Sequence, residues 1–214
     1  MTGIREAKAE LRMRLRGIRA AIPPDRRLAL GLAVQARLFE LRAYREAGTV
    51  LLFYSFGSEI PTAGIIQRSL DEGKSVFLPL LEAGGMVAAE LKPGDSLAAT
   101  TYGPKEPSNR VAIDPGQVGL VVAPGLGFDP QGYRLGYGGG HYDRYLATLL
   151  PATPRVGIAF HQQLVPELPH ESADERLDVV VTDVEVIVCP SRRDGPRFME
   201  GEDGSGAPSR RPAP

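Results

Sequence analysis

The sequence has little of what marks a secreted, membrane-spanning or disulfide-linked chain. Its only cysteine, Cys189, cannot form a disulfide within the chain and has no second thiol with which to share a metal ion. No apolar run approaches the ~20 residues that span a membrane, and the N-terminus lacks the apolar centre of a secretory signal. We therefore expect a soluble, cytoplasmic protein in which Cys189 is a small buried residue that ends a strand.

An excess of one charge is also missing. The 214 residues include 25 lysines and arginines against 26 aspartates and glutamates, so the formal net charge is -1. This balance gives no overall attraction to nucleic acid or to a membrane surface, and we expect neither as a partner. The histidines His141, His161 and His170 do not share the helical spacing of metal ligands, so we expect no zinc site.

The order of apolar segments predicts a single α/β domain. Buried strands alternate with a helix at about 63–72, which implies parallel crossovers and a mostly parallel, Rossmann-like open sheet flanked by helices. A further helix is expected to run to about Leu150, and residues 81–115 read mainly as loops. The predicted strands are TVLLFYSF, SVFLPLL, MVAAEL, VGLVVAP, RVGIAF, LDVVVTD and VEVIVC. Residues 1–190 form the predicted domain, and residues 191–214, dominated by Gly, Pro, Ser and charge, form a predicted disordered tail.

An N-terminal helical pair is predicted to precede the sheet. The first helix has an apolar stripe at helical spacing, formed by Ile4, Ala7, Leu11, Leu15 and Ile18. One residue later runs a basic stripe of Arg5, Lys8, Arg12, Arg16 and Arg19. The second helix follows the segment PPD and has apolar positions at Leu28, Leu32, Ala36 and Phe39. The basic stripe fits a solvated face, an RNA-binding helix or a phosphate site, and spacing alone leaves these open.

The segment RLGYGGGHYDRYL, residues 134–146, contains a glycine loop, residues 136–140, that leads into a predicted helix. Glycines let backbone N–H groups approach a phosphate, and a helix start adds partial positive charge, so a phosphorylated ligand is the natural hypothesis. A Walker loop needs Gly-Lys-Ser/Thr where this chain has GGHYD, and a dinucleotide fingerprint needs its glycines directly after a strand. A glycine turn without a ligand stays open.

Three carboxylates lie beside the ends of predicted helices or strands. Asp143 and Asp178 are hard oxygen ligands of the kind that Mg²⁺ takes when it is bound to nucleotide phosphates. Glu59 directly follows the first strand. Taken alone, each aspartate is better explained by a helix cap or a surface charge, and Glu59 by a loop charge.

These pieces together resemble one enzyme family. The segment APGLGFDPQGYRLGYGGGHYDRYL, residues 123–146, resembles the signature of 5-formyltetrahydrofolate cyclo-ligase, also called 5,10-methenyltetrahydrofolate synthetase. KAELR, YSFGSEIPT and ERLDVVVTD follow in the family's order, so the resemblance covers about residues 8–183. It implies an enzyme that uses ATP and Mg²⁺ to convert 5-formyltetrahydrofolate into 5,10-methenyltetrahydrofolate, with release of ADP and phosphate.

The resemblance also implies roles for residues. Those expected to bind ATP are Lys8, Arg12, Arg134, Leu135, Gly136, Tyr137, Gly138, Gly139, Gly140, His141 and Tyr142. Those expected to bind the folate are Tyr54, Glu59, Tyr137, Gly138, Gly139, Gly140 and His141. Asp143 and Asp178 are expected to bind Mg²⁺, and no protein nucleophile is expected. The chain departs from the family pattern at His141, where an aromatic residue is common, and at Pro61, where an acidic residue is frequent.

Two other kinds of function fit parts of the sequence. A nucleotide- or RNA-binding module without catalysis would use the basic helix, and its RNA affinity would fall steeply with salt. A sugar-phosphate isomerase of similar sheet topology would turn over its substrate without ATP. The binding module needs neither Glu59 nor the two aspartates, which is why the enzyme is the preferred hypothesis.

Overall fold

The computed structural model describes residues 2–83, 85–99, 105–108 and 111–192. The α-helices in these ranges are α1 (Thr2–Ala20), α2 (Pro24–Glu40), α3 (Arg42–Glu46), α4 (Ala63–Asp71) and α5 (His141–Leu146). The strands are β1 (Thr49–Leu51), β2 (Ser75–Glu82), β3 (Gly85–Leu91), β4 (Leu97–Ala99), β5 (Lys105–Pro107), β6 (Leu120–Ala123), β7 (Gly127–Phe128), β8 (Arg134–Leu135), β9 (Arg155–Ala159), β10 (Val179–Thr182) and β11 (Val186–Val188). None of the helices in the described ranges combines the length and apolarity needed to cross a bilayer.

Seven of the strands form one mostly parallel sheet in the order β11-β10-β9-β6-β1-β2-β3. The five inner strands are parallel, and β11 and β3 pair antiparallel at the two edges. The predicted α/β class is therefore confirmed. The antiparallel pair of β4 and β5 falls in the segment predicted as mainly loops, where short polar strands give no clear periodicity.

The strand order reverses between β1 and β6. From β1 the chain passes through α4 to β2 on one side, whereas β6 pairs with β1 on its other side. In an open parallel sheet, the crevice outside the carboxyl ends of the strands at such a point is the usual ligand site. The fold therefore directs attention to the loops that follow β1 and β6.

Successive side chains of the inner strands point to opposite faces of the sheet, and both faces are covered by other parts of the chain. Val50 packs in a core cluster with residues of α2 and α4, and its neighbour Leu51 packs in a second cluster with residues of α5. This double burial explains why the inner strands are continuous apolar runs. Cys189 packs in the second cluster, as predicted, and burial raises the pKa of its thiol to about 12.

The N-terminal helical pair is present, but its buried faces differ from the predicted stripes. In α1, Ile4 and Ile18 are exposed, whereas the basic residues Lys8 and Arg19 are buried on the same side as Leu15. The reason is that α1 packs on a small cluster formed largely by loop residues, Leu126, Leu135, Val165 and Leu168, next to a polar cavity.

In α2 the sheet-facing residues are Val34 and Leu38, each 0% exposed, whereas Leu28 and Leu32 are 57% and 58% exposed. Both sets have helical spacing, so periodicity alone could not select between them. The helix predicted to reach Leu150 ends at Leu146 and continues as turns. Arg192, which lies in the predicted tail, donates hydrogen bonds to Asp178, and residues 193–214 of that tail lie outside the described residues.

The two faces of α2 give a stability test. We expect Leu38→Ala to lower the free energy of unfolding by about 2–5 kcal/mol, because it opens a cavity in the core. Leu32→Ala, on the exposed face of the same helix, should change it by less than about 0.5 kcal/mol. Urea denaturation followed by circular dichroism measures both. Equal losses in the two variants would contradict this assignment of the buried face.

Candidate active site

A cavity of about 510 Å³ lies where the loop after β6 meets α1 and the glycine loop. Every residue expected from the sequence to bind ATP lines it, namely Lys8, Arg12 and residues 134–142. Asp143 lines it as well, together with Arg5, Pro124, Glu171 and Asp174. The fold thus brings the basic stripe of α1 and the glycine loop to the same side of the sheet.

The glycine loop, residues 136–140, needs glycine for its backbone conformation and lies against α1. Gly138 and Gly140 have φ values of 113° and 63°, a region that other residues rarely adopt. The Nε of Arg12 donates a hydrogen bond to the carbonyl oxygen of Gly136 at 2.9 Å, and a side chain at Gly138 would approach the same guanidinium. Arg12 therefore holds the loop at the cavity edge.

Lys8 lies in the cavity with its ammonium group between two carboxylates. Its Nζ is 2.6 Å from Asp174 Oδ2 and 3.1 Å from Glu171 Oε2, and the residue is 8% exposed. Burial acts to lower the pKa of Lys8, but the hydrogen bonds and negative charges of these two carboxylates outweigh it and raise the pKa. Lys8 is therefore a stable cation at neutral pH.

Arg134 and Asp143 form an ion pair in the wall of the cavity. Arg134 Nη2 is 3.0 Å from Asp143 Oδ1, and Arg134 Nη1 donates to the Pro124 carbonyl oxygen at 3.3 Å. In the described part of the chain, Arg134 Nε and the Tyr142 hydroxyl are buried without a hydrogen-bond partner. Burial raises the pKa of Tyr142, so its hydroxyl remains a neutral donor. Two unsatisfied polar groups beside a cavity suit a polar ligand.

Asp143 fits a magnesium site of the kind that is completed by phosphate oxygens. Oδ1 accepts from Arg134, and the carboxylate borders the cavity with its side chain 19% exposed. Mg²⁺ bound to nucleotides commonly takes one or two protein carboxylates and keeps its other positions for phosphate and water. Among the residues described, no three His, Cys, Asp or Glu side chains group together as a metal cage.

The structure does not bring Asp178 to this site, which corrects the predicted pairing of Asp143 and Asp178. Asp178 is 3% exposed and is not among the residues lining the cavity. Its oxygens accept hydrogen bonds from Arg192 at 2.7 and 3.0 Å and from the Arg155 backbone N–H at 2.8 Å. A carboxylate that is already neutralised and buried in this way has no free face for a metal ion.

Glu59 lies behind the glycine loop rather than in the cavity. It is 6% exposed, and its Oε2 accepts a hydrogen bond from the Phe56 backbone N–H at 3.0 Å. The Tyr137 hydroxyl donates to Oε1, and Arg19 Nη1 is 3.9 Å from the same oxygen. Burial raises the pKa of Glu59, against the opposing effects of Tyr137, Phe56 and Arg19. Tyr54, the other residue expected to hold the folate, is half-buried and packs against the core cluster.

Tyr137 connects the two parts of the site. It lines the cavity, its hydroxyl bonds to Glu59, and its ring lies 5.6 Å from the Phe56 ring, centroid to centroid. Burial and the charge of Glu59 raise the pKa of Tyr137. Its neutral hydroxyl is therefore a firm donor to Glu59 at physiological pH.

Sequence reasoning missed several residues of the site. Arg19 was noticed only as part of the basic stripe, and its burial follows from the packing of α1 rather than from any local pattern. Glu171 and Asp174 lie in the polar segment ESADER, which reads like any solvated loop until the fold places it beside Lys8.

Comparison with known proteins identifies a family. The model of the 5-formyltetrahydrofolate cyclo-ligase family matches residues 4–183. The 5-formyltetrahydrofolate cyclo-ligase of Escherichia coli strain K12 is 33% identical over 174 residues, covering 78% of this chain and 96% of its own. That of Mus musculus is 29% identical over 192 residues, covering 83% and 92%. The solved structure of Aquifex aeolicus 5,10-methenyltetrahydrofolate synthetase aligns with a TM-score of 0.77 at 28% identity, covering 92% and 98%.

The glycine loop gives a second stability test. Gly140→Ala places a side chain at φ 63° with Arg144 Nη1 3.0 Å from the new Cβ, and we expect a loss of about 1–2 kcal/mol of folding free energy. Gly17→Ala, at an exposed position in the last turn of α1 with open space around its Cβ, should instead stabilise by about 0.4–1 kcal/mol. Denaturant midpoints report both changes. A stabilised Gly140→Ala protein would show that the loop does not hold this conformation.

Proposed function

The chain belongs to the 5-formyltetrahydrofolate cyclo-ligase family, and from this membership and the cavity we propose that it makes 5,10-methenyltetrahydrofolate from 5-formyltetrahydrofolate. ATP is the co-substrate, and ADP and phosphate are released. The observation that carries the proposal is the cavity at the strand-order reversal, which is lined by the glycine loop and by three cations of α1, Arg5, Lys8 and Arg12. In this proposal both substrates are small molecules.

The cationic half of the cavity suits the ATP phosphates. Lys8 supplies a point charge, and Arg12 supplies a planar guanidinium. The glycine loop supplies backbone N–H groups at positions where glycine has no side chain to obstruct them. Because Lys8 already has two carboxylate partners, the phosphates would have to displace them, whereas Arg12 can keep the bond from its Nε to Gly136 and offer its Nη groups. Arg134 would act mainly by holding Asp143 in place, since its fork is already bonded to that carboxylate.

The folate belongs at the Glu59 end of the site. A buried carboxylate can accept hydrogen bonds from the amino and ring N–H groups of a pterin, and Phe56, whose backbone N–H bonds to Glu59, offers an aromatic ring. Tyr54, on the same loop, offers a second ring. Tyr137 stands between this carboxylate and the nucleotide end of the cavity. The N5-formyl group would then point toward the phosphates.

The chemistry needs positioning more than a protein nucleophile. The formyl oxygen attacks the γ-phosphorus of ATP, ADP leaves, and the formyl oxygen becomes a phosphate ester. The N10 lone pair then attacks the formyl carbon, N10 loses its proton, and the carbon–oxygen bond breaks as phosphate departs. Lys8, Arg12 and the loop N–H groups stabilise the negative charge of the transferred phosphoryl group. His141 also lines the cavity, where its ring contacts Arg144.

Asp143 would hold the magnesium ion of this reaction. When bound, Mg²⁺ neutralises phosphate charge and orients the terminal phosphate. The contribution of the chain is a carboxylate fixed by Arg134 at the cavity wall.

A direct assay tests the proposal. Purified protein is mixed with 5-formyltetrahydrofolate, ATP and Mg²⁺, and the absorbance of the methenyl product is followed. We expect product only when all three are present, with one ADP formed for each methenyl group. Absence of product while the substrate stays intact would refute the proposed function, and product without ATP would refute the phosphorylation step.

Substitution of two arginines one helical turn apart on α1 tests whether Arg12 contacts the nucleotide or only adds positive charge to the protein. Arg12→Ala should raise the KM for ATP roughly 10- to 100-fold, which corresponds to a charge-assisted hydrogen bond of about 1.5–3 kcal/mol, and should change the KM for the folate less. Arg16→Ala removes an equal charge from an exposed position and should leave both values unchanged. Steady-state kinetics with each substrate varied measures this. An equal rise in both KM values in Arg12→Ala would argue against a phosphate contact.

A further inference from the structure

Arg19 differs from the other basic residues of α1. Arg5, Lys8 and Arg12 line the cavity and Arg16 is exposed, whereas Arg19 is 4% exposed and does not line the cavity. Its Nε donates a hydrogen bond to Ser58 Oγ at 3.0 Å, and its Nη1 lies 3.5 Å from the Gly125 carbonyl oxygen. It therefore bridges the loops that follow β1 and β6, the two strands between which the strand order reverses.

A buried guanidinium needs a buried countercharge, and Glu59 provides it. Arg19 Nη1 is 3.9 Å from Glu59 Oε1, and both side chains are 4% exposed. Within the described ranges this is the ion pair that Arg19 forms. Two ions removed from water stay ionised together, whereas either one alone is strongly destabilised. Arg19 thus favours the charged form of Glu59, together with the hydrogen bonds from Tyr137 and the Phe56 backbone N–H.

The Tyr137 hydroxyl contacts the same carboxylate oxygen but can be replaced. Tyr137 is carried on the glycine loop, and its ring lies 5.8 Å from the Arg19 guanidinium carbon, ring centroid to carbon. The substrate N–H donors that bond to Glu59 must take over the position of this hydroxyl on Oε1. Arg19 is held on a long helix and by two loops, so it stays in place during that exchange.

We propose that Arg19 is a positioning residue for the folate end of the site. It fixes the loop that carries Glu59 and supplies the countercharge that keeps Glu59 a carboxylate while the Tyr137 hydroxyl gives way to the N–H groups of the substrate. The inference rests on the proposed function, because it takes Glu59 as the acceptor for the pterin.

The sign of the pH dependence follows from the groups that face Glu59. These are Arg19 from α1, Tyr137 from the glycine loop, Tyr142 from α5 and the Phe56 backbone N–H from its own loop. Both tyrosines are neutral at physiological pH, so Arg19 is the cation of the set. Without it the pKa of Glu59 rises further above its ordinary value, and folate binding is lost at a higher pH as the solution is acidified.

The experiment compares Arg19→Gln, Arg19→Lys and Arg16→Gln in the full-length chain. We expect Arg19→Gln to raise the KM for 5-formyltetrahydrofolate about tenfold near neutral pH, with less effect at higher pH and on the KM for ATP. Arg19→Lys keeps the positive charge, so the rise of its KM for 5-formyltetrahydrofolate at acidic pH should occur at the same pH as in the wild type. Arg16→Gln, at an exposed position on the same helix, should match the wild type throughout.

A measurement made without substrate tests this inference independently of the proposed function. The pKa of Glu59, followed by its carboxyl ¹³C shift and assigned with Glu59→Gln, should be higher in Arg19→Gln than in the wild type. An unchanged pKa would overturn the proposal whether or not the protein turns over folate. So would an Arg19→Gln defect of equal size at every pH, which a purely structural role predicts. If Arg19→Gln does not fold, a shifted acid limb in Arg19→Lys is the overturning result.

Discussion

The hydrogen bond from the Tyr137 hydroxyl to the Glu59 carboxylate links the two halves of the site. Tyr137 belongs to the glycine loop, which borders the cavity, and Glu59 belongs to the loop after β1. The donor is a neutral hydroxyl, and this hydrogen bond opposes the rise that burial causes in the pKa of Glu59. Any ligand that reaches Glu59 must compete with it, and any ligand that moves the glycine loop affects Glu59. The cavity and the region around Glu59 are therefore mechanically connected.

Paired charges are the second organising constraint of the site. Lys8 is matched by Asp174 and Glu171, Arg134 by Asp143, and Arg19 by Glu59. Such pairing lets a chain of almost zero net charge hold several cations in one partly buried region. It also explains why the overall charge does not indicate an anion site: two of the cations that line the cavity, Lys8 and Arg134, are each paired with a carboxylate.

The sequence was most informative where a signal is local or continuous. The inner strands are continuous apolar runs, so they could be recognised from the sequence. The glycine loop could be recognised because its backbone conformation is one that other residues rarely adopt, and glycines therefore cluster there. The buried faces of α1 and α2 could not, because Ile4 and Leu32 fit a helical stripe as well as Leu15 and Leu38 do. Partnerships across the chain were also out of reach: Lys8 with Asp174, or Asp178 with Arg192, depend on the tertiary fold alone.

The two carboxylates around Lys8 would affect which anions can bind in the cavity. A small anion that approached Lys8 would have to displace Asp174 and Glu171, which are attached to the protein and therefore present at a high effective concentration. One weak contact cannot compensate for that displacement, whereas a chain of phosphates that also engages Arg12 and the glycine loop gains several contacts at once. Under the proposed function, the acidic residues would therefore disfavour single small anions relative to a ligand with several linked negative charges.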